Sequence, residues 1–122
     1  MDLPTQARLK TLRDLLGHRL VELRADVRAA EQERLVLEEA GARGDDDRRE
    51  DAVRGQLSAL SDKQEERDRE EMREVEAALH RLGTGTYGDC DSCGEPIPVE
   101  RLLVQSAATR CAACQARHEA EA

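Results

Sequence analysis

Four cysteines are the residues in this chain best suited to do chemistry. They are Cys90, Cys93, Cys111 and Cys114, in the pattern C-x2-C-x17-C-x2-C. A C-x2-C turn brings two thiolates to one metal ion, and four thiolates suit the tetrahedral coordination of zinc. Because protein sulfur would fill all four positions, the spacing predicts one structural Zn²⁺ per chain rather than a catalytic ion with an open position.

Three other uses of four cysteines compete with zinc. Two disulfides would require an oxidising compartment, which nothing in the sequence indicates. A thioredoxin-like redox pair would require a strand–helix context that is absent from this sequence. An iron–sulfur cluster also binds four thiolates, but two symmetric C-x2-C pairs on short turns favour zinc. We therefore prefer zinc and keep the other three as less favoured interpretations.

The elements that position the cysteines are predicted to be long helices. The chain has 122 residues, of which 38% are charged, and one aromatic residue, Tyr87. This composition is typical of coiled coils. Glycines at 41 and 44 break the helical pattern and separate a first helix over 3–40 from a second over 47–82.

The predicted fold is mostly α. A long antiparallel two-helix coiled-coil hairpin covers 1–82, with its tip at about 41–52. A small four-cysteine zinc-finger module with a short C-terminal helix, from Cys111 to about 120, covers 83–122.

Apolar residues recur along both predicted helices in steps of three and four, which predicts a buried seam. In the first helix they are Leu9, Leu12, Leu16, Leu20, Leu23, Val27, Ala30 and Leu37, with Arg34 as the one polar break; in the second, Val53, Leu57, Leu60, Met72, Val75, Leu79 and Leu82. Residues 61–71 contain no apolar residue, and folding about the turn places them beside residues 19–29. We expect the hairpin to be weakest there; the alternative is that 61–71 frays or acts as a linker. Four glycines and two prolines fall between 83 and 98, which excludes helix from that segment.

Charge and hydropathy narrow the function classes. The net charge of −8 argues against a protein that tracks nucleic-acid phosphates and against an anionic membrane surface. No apolar run approaches a membrane span, and residues 1–10 resemble no signal peptide. We therefore expect a cytoplasmic protein with no direct nucleic-acid or membrane partner. Nothing resembles a nucleophile–base pair or a phosphate-binding loop, so an enzyme is not expected.

A helical hairpin followed by this cysteine pattern resembles the DksA/TraR family of bacterial transcription regulators. The resemblance is most specific within residues 85–114. It is carried by Gly85, Thr86, Tyr87, Gly88, Asp89, Cys90, Cys93, Gly94, Ile97, Pro98, Arg101, Leu102, Ala108, Cys111 and Cys114. Ser106 departs from the family pattern, which usually has Pro there.

The resemblance implies a protein partner and a function for the hairpin tip. Members of this kind bind RNA polymerase without binding DNA, and are thought to insert the hairpin through the secondary channel toward the catalytic Mg²⁺. Their tip motif, D-x-x-D-x-A, aligns with residues 47–52. Asp47 and Ala52 match it, and Glu50 replaces the second Asp. The alternative role of these acids is to cap and solvate the second helix. The alternative function is a zinc-stapled coiled-coil adaptor for another protein.

The resemblance also bears on the alarmone ppGpp, which some members hold with basic side chains. The corresponding positions here are Glu74, Gln105 and Gln115, although Arg101 remains basic. A carboxylate repels a pyrophosphate, and glutamine cannot replace a charge-assisted donor. We therefore predict that ppGpp is not a partner.

Overall fold

A computed structural model describes residues 6–42 and 48–121, with side chains for 6–40 and 53–121. Within these ranges four helices follow one another: α1 (Gln6–Ala42), α2 (Arg48–Thr84), α3 (Val99–Val104) and α4 (Ala112–Glu121). In the described ranges the extended structure amounts to one isolated antiparallel bridge, between Asp89 and Pro96. The predicted fold class is therefore confirmed. None of the described helices is long and apolar enough to cross a membrane.

The chain divides into two compact units, and α1 and α2 contribute to both. The first unit contains Met1–Leu20 with Glu74–Ala122, and the second contains Val21–Arg73. The core of the first unit combines residues of the long helices with residues around the cysteines. Its buried members are Leu12, Leu16, Leu20, Val75, Ala78, Tyr87, Cys90, Ile97, Val99, Leu102 and Cys114.

In the second unit, charged residues set the pairing of α1 and α2. Arg34 Nη1 donates to Glu65 Oε1 at 2.9 Å, and Arg69 Nε donates to Glu65 Oε2 at 2.9 Å. Arg69 also pairs with Glu31. Glu31 precedes Arg34 on α1, but its partner Arg69 follows Glu65, the partner of Arg34, on α2. The two helices are therefore antiparallel in this unit.

These ion pairs correct the predicted register. Residues 61–71 were expected beside 19–29, but the pairs place them alongside roughly 29–39. The prediction was wrong because it assumed that the chain folds symmetrically about the turn. The apolar gap is continuous helix rather than a linker, and Glu65, in its middle, is buried.

The predicted seam is partly confirmed. Leu12, Leu16, Leu20, Leu23 and Val27 are buried, as is Val75 on α2. The part of the seam nearer the turn is not buried, and its exposed members are Leu37, Val53, Leu57 and Leu60. Between the two helices there lies a groove of about 440 Å³ whose lining includes the small side chains of Ser58 and Ser61. These residues on α2 are too short to cover Leu37.

The end of α2 also differs from the prediction. Helix was excluded from residues 83–98, yet α2 continues through Gly83 to Thr84. Gly85 ends it: this residue has φ +79°, and the Thr86 N–H donates to the Arg81 carbonyl at 3.0 Å. This six-to-one hydrogen bond with glycine in the left-handed region is a Schellman C-cap. Glycine content alone did not show which glycine would adopt that conformation.

Candidate metal centre

The first cysteine pair lies on a tight turn. The Cys90 N–H donates to the Glu95 carbonyl at 2.9 Å, and the Gly94 N–H donates back to the Cys90 carbonyl at 2.9 Å. Gly94 has φ +75°, which side-chain-bearing residues rarely adopt. The turn therefore depends on the glycine directly after Cys93.

The second pair opens α4. Cys111 precedes this helix, and its carbonyl accepts the Gln115 N–H at 2.9 Å. Cys114 lies in the first turn and is buried. The Asp91 N–H donates to the Thr109 carbonyl at 2.8 Å, which joins the loop before α4 to the turn of the first pair. The predicted C-terminal helix is confirmed, with its start at Ala112 instead of Cys111.

A small core holds the two pairs together. Tyr87 is buried, and its hydroxyl donates to the Ser106 carbonyl at 2.7 Å; burial raises its pKa to about 12. Ile97 and Leu102 are fully buried in the same unit. Leu102 belongs to α3, which the sequence analysis missed. Its signal was Pro98 before an apolar run with Glu100 in the first turn, a common helix start.

The four sulfur atoms fit a zinc ion. All four Sγ atoms lie within 4.8 Å of one another, and those of Cys93 and Cys111 are 4.0 Å apart. Zn–S bonds of about 2.3 Å in a tetrahedron place sulfurs about 3.8 Å apart. None of the four cysteines forms a disulfide, which contradicts the disulfide alternative.

Hydrogen bonds make the four thiols unequal. Backbone N–H groups, that of Cys111 first and those of Cys93 and Ser92 after it, lower the pKa of Cys90 to about 6 despite its burial. The hydrogen bond with Cys111 and burial raise the pKa of Cys114 to about 12, while Arg117 acts in the opposite direction. Without metal the cluster therefore retains protons, which zinc displaces on binding.

Comparison with known proteins supports the same interpretation of the site. Residues 85–120 match the model of the prokaryotic dksA/traR C4-type zinc finger. This segment contains all four cysteines.

Two curated relatives are similar over part of their length. The RNA polymerase-binding transcription factor DksA of Haemophilus influenzae is 40% identical over 50 residues, which are 41% of this chain and 34% of that protein. The protein of the same name from Caulobacter vibrioides is 38% identical over 61 residues, 50% of this chain and 43% of that one. The chain thus matches less than half of each curated relative.

A solved structure extends the likeness to the long helices. Transcription factor DksA2 from Pseudomonas aeruginosa superposes with a TM-score of 0.80 at 32% identity, over 95% of this chain and 86% of that one. The chain belongs to the DksA/TraR family. In this DksA/TraR protein the four clustered cysteines form the C4-type zinc finger of the family, and Cys90, Cys93, Cys111 and Cys114 would hold its structural Zn²⁺.

The predicted tip residues belong to the second unit of the chain, whereas the cysteines belong to the first. Asp47 lies outside the described residues. Glu50 and Ala52 lie in the first two turns of α2, where the structure describes the backbone. Their role in partner binding stays a prediction.

Sequence reasoning missed two sets of charged residues. One is the group Glu31, Arg34, Glu65 and Arg69; a signal was Arg34, the one polar break in the apolar stripe of α1. The other is Arg117, whose Nη2 donates to the Cys114 Sγ at 3.2 Å. The signal for Arg117 was its spacing of three from Cys114, which puts both on one face of α4.

Proposed function

We propose that this protein is a cytoplasmic, non-enzymatic transcription regulator that binds RNA polymerase. The observation that carries the proposal is the likeness to transcription factor DksA2, because it covers 95% of this chain and includes both long helices as well as the zinc finger. Two curated relatives that match up to half of this chain are named as RNA polymerase-binding factors, which supports the same partner.

In this proposal residues 1–82 form the hairpin that enters the secondary channel of the polymerase, and residues 83–122 form the zinc-finger module at its base. Each long helix has 37 residues, a length of about 55 Å at 1.5 Å per residue. Asp47, Glu50 and Ala52 belong to the tip, about 41–52, which in this proposal approaches the active-site Mg²⁺ of the polymerase. Carboxylate oxygen is the ligand type that Mg²⁺ prefers.

The regulator acts without direct contact to DNA. Its net charge is −8, whereas a DNA-binding surface must neutralise phosphates with lysine and arginine. Between residues 84 and 122 the chain has six acids against three arginines, and a zinc ion with four thiolates adds two further negative charges. The zinc finger therefore repels a phosphate backbone.

A pull-down with core RNA polymerase, paired with transcription in vitro, tests this function. The double variant Asp47→Asn, Glu50→Gln should still be captured by polymerase, because most of the contact comes from the helices and base, but should lose its effect on transcription. The control variant Asp62→Asn, Glu66→Gln removes the same charge from exposed positions of α2 and should regulate normally. Normal regulation by the tip variant would refute the tip assignment, and failure of the wild type to bind polymerase would refute the function.

One observation favours a second candidate, the coiled-coil adaptor for a different protein. The second unit exposes seven large apolar side chains: Val21, Leu35, Val36, Leu37, Val53, Leu57 and Leu60. An adaptor that binds through Leu57 and Leu60, which lie three residues apart on one face of α2, would lose its partner in the variant Leu57→Ser, Leu60→Ser and would tolerate the loss of both tip acids. A polymerase regulator gives the opposite result for the tip acids.

A further inference from the structure

The ligand sulfurs of the zinc finger differ in the groups that donate hydrogen bonds to them. In the first pair, backbone N–H groups of Cys111, Cys93 and Ser92 lower the pKa of Cys90, and that of Glu95 acts in the same direction on Cys93. Backbone groups of this kind do not depend on side-chain type. At Cys114, in the second pair, a side chain is a donor: Arg117 Nη2 lies 3.2 Å from the sulfur.

The helix holds this contact in place. Cys114 and Arg117 are three residues apart in α4, so they lie on one face, one turn from each other. Cys114 is 4% exposed, while Arg117 is exposed and reaches the sulfur from the solvent side. The guanidinium stays charged at all physiological pH values and has several N–H donors, so it can donate to the thiolate without losing its own hydration.

The charge of the site gives the contact its importance. Four thiolates around one Zn²⁺ carry a net charge of −2, and the thiolate of Cys114 lies in a buried position where solvent screening is weak. Hydrogen bonds with an ionised partner are about twice as strong as neutral ones. Outer-sphere partners of this kind typically change metal affinity by about 10- to 100-fold when they are removed.

We propose that Arg117 is a positioning residue of the zinc site: its guanidinium orients the Cys114 sulfur toward the metal and offsets part of the −2 charge of the zinc–thiolate centre. Cys93 is exposed and Cys111 is half-buried, so water can reach these two ligands. Cys114 is buried and less accessible to water than these two ligands. The Arg117 guanidinium therefore supplies a hydrogen-bond donor to its sulfur.

Zinc competition against a chromophoric chelator, with the full chain, tests the proposal. Arg117→Gln should bind zinc about 10- to 100-fold more weakly and release it faster to the chelator. Arg117→Lys, which keeps the charge but loses the planar fork, should fall between the wild type and the glutamine variant. Arg110→Gln is the matched control, because it removes one positive charge from the same module at a side chain that donates to Gln115. It should change the affinity far less than the Arg117→Gln variant does.

Cobalt substitution gives a readout that a merely structural role would not move. The thiolate-to-cobalt charge-transfer band reports the electron density on the sulfurs, so it should shift in Arg117→Gln and keep its wild-type position in Arg110→Gln. Circular dichroism at saturating zinc should show the same helix content in all variants, because Arg117 is exposed. A glutamine variant with wild-type zinc affinity and band position would overturn the proposal. So would a lysine variant no better than glutamine, or an Arg110→Gln control equally impaired.

Discussion

The C-terminal end of α2 offers a sharp test, because two glycines two residues apart have opposite backbone requirements. Gly83 is inside the helix, whereas Gly85 has φ +79° and ends it. A Cβ added at either position would have no heavy atom within 4 Å beyond its immediate chain neighbours and the local helix backbone. Steric space therefore does not distinguish the two sites, and only backbone conformation does.

The expected effects have opposite signs. Alanine at Gly83 lowers the conformational entropy of the unfolded chain in a conformation it readily adopts, which raises the free energy of unfolding by about 0.5–1 kcal/mol. Alanine at Gly85 must adopt the left-handed region, which lowers the free energy of unfolding by about 1 kcal/mol. The two variants should therefore differ by roughly 1.5–2 kcal/mol, or several degrees in Tm for a chain of this size.

Urea unfolding of the zinc-loaded full chain, followed by far-UV circular dichroism, measures this difference. Gly17→Ala serves as a control for the gain from a helical glycine, since Gly17 lies inside α1 and is equally free of neighbours. If Gly83→Ala and Gly85→Ala destabilise the protein equally, α2 ends before Gly83, as glycine content alone suggested. If both stabilise it, Gly85 does not adopt the left-handed conformation.

Three further predictions follow from the metal site, the charged interface and the ligand-binding positions. Elemental analysis should find one zinc per chain, and chelation should unfold residues 83–115 while much of the helical signal remains; two disulfides and no metal would contradict this. Arg69, and after it Arg34, lower the pKa of Glu65 in the folded protein. The ionised carboxylate therefore stabilises the fold fully above the pKa of about 4.3 that it has in the unfolded chain, and this stabilisation is lost as the pH falls through the lower pKa of the folded protein. Glu65→Gln should therefore be less stable at pH 7 and lose less stability than the wild type on acidification, whereas parallel acid-unfolding curves would exclude this role. With a polymerase that lacks its own alarmone site, ppGpp should not potentiate the protein, because Glu74, Gln105 and Gln115 lack charge complementarity to a pyrophosphate; clear potentiation would refute the alignment behind that expectation.

The zinc site and the helices could be predicted from sequence because their signals are local. The C-x2-C pairs define a turn geometry by themselves, and long runs without glycine or proline define helices. The stretch 61–71 was correctly predicted as helix although it has no apolar residue, since helix formation depends on propensity within a few residues. These features depend on residues that are close in sequence, so they can be predicted without knowing which residues pack against them.

The register and the burial near the turn could not be predicted, because they depend on partners distant in sequence. Leu57 and Leu60 have helical spacing, yet they remain exposed, and neither lines the groove between the two helices. A periodic pattern identifies the face of a helix that is apolar, but it does not identify what packs against that face. Arg117 was missed for the same reason. Its spacing from Cys114 can be read from the sequence, but the direction of its side chain cannot.

The charged group in the second unit explains how two helices with few large side chains keep one register. An all-leucine seam would allow one helix to slide along the other by a heptad at small cost, since one leucine can replace another. Sliding would remove the Arg34 guanidinium from Glu65 and leave a buried carboxylate that has lost a partner from the opposite helix, which is strongly unfavourable. The gap in the apolar pattern, expected to be the weak part of the hairpin, is therefore where the alignment of α1 and α2 is specified.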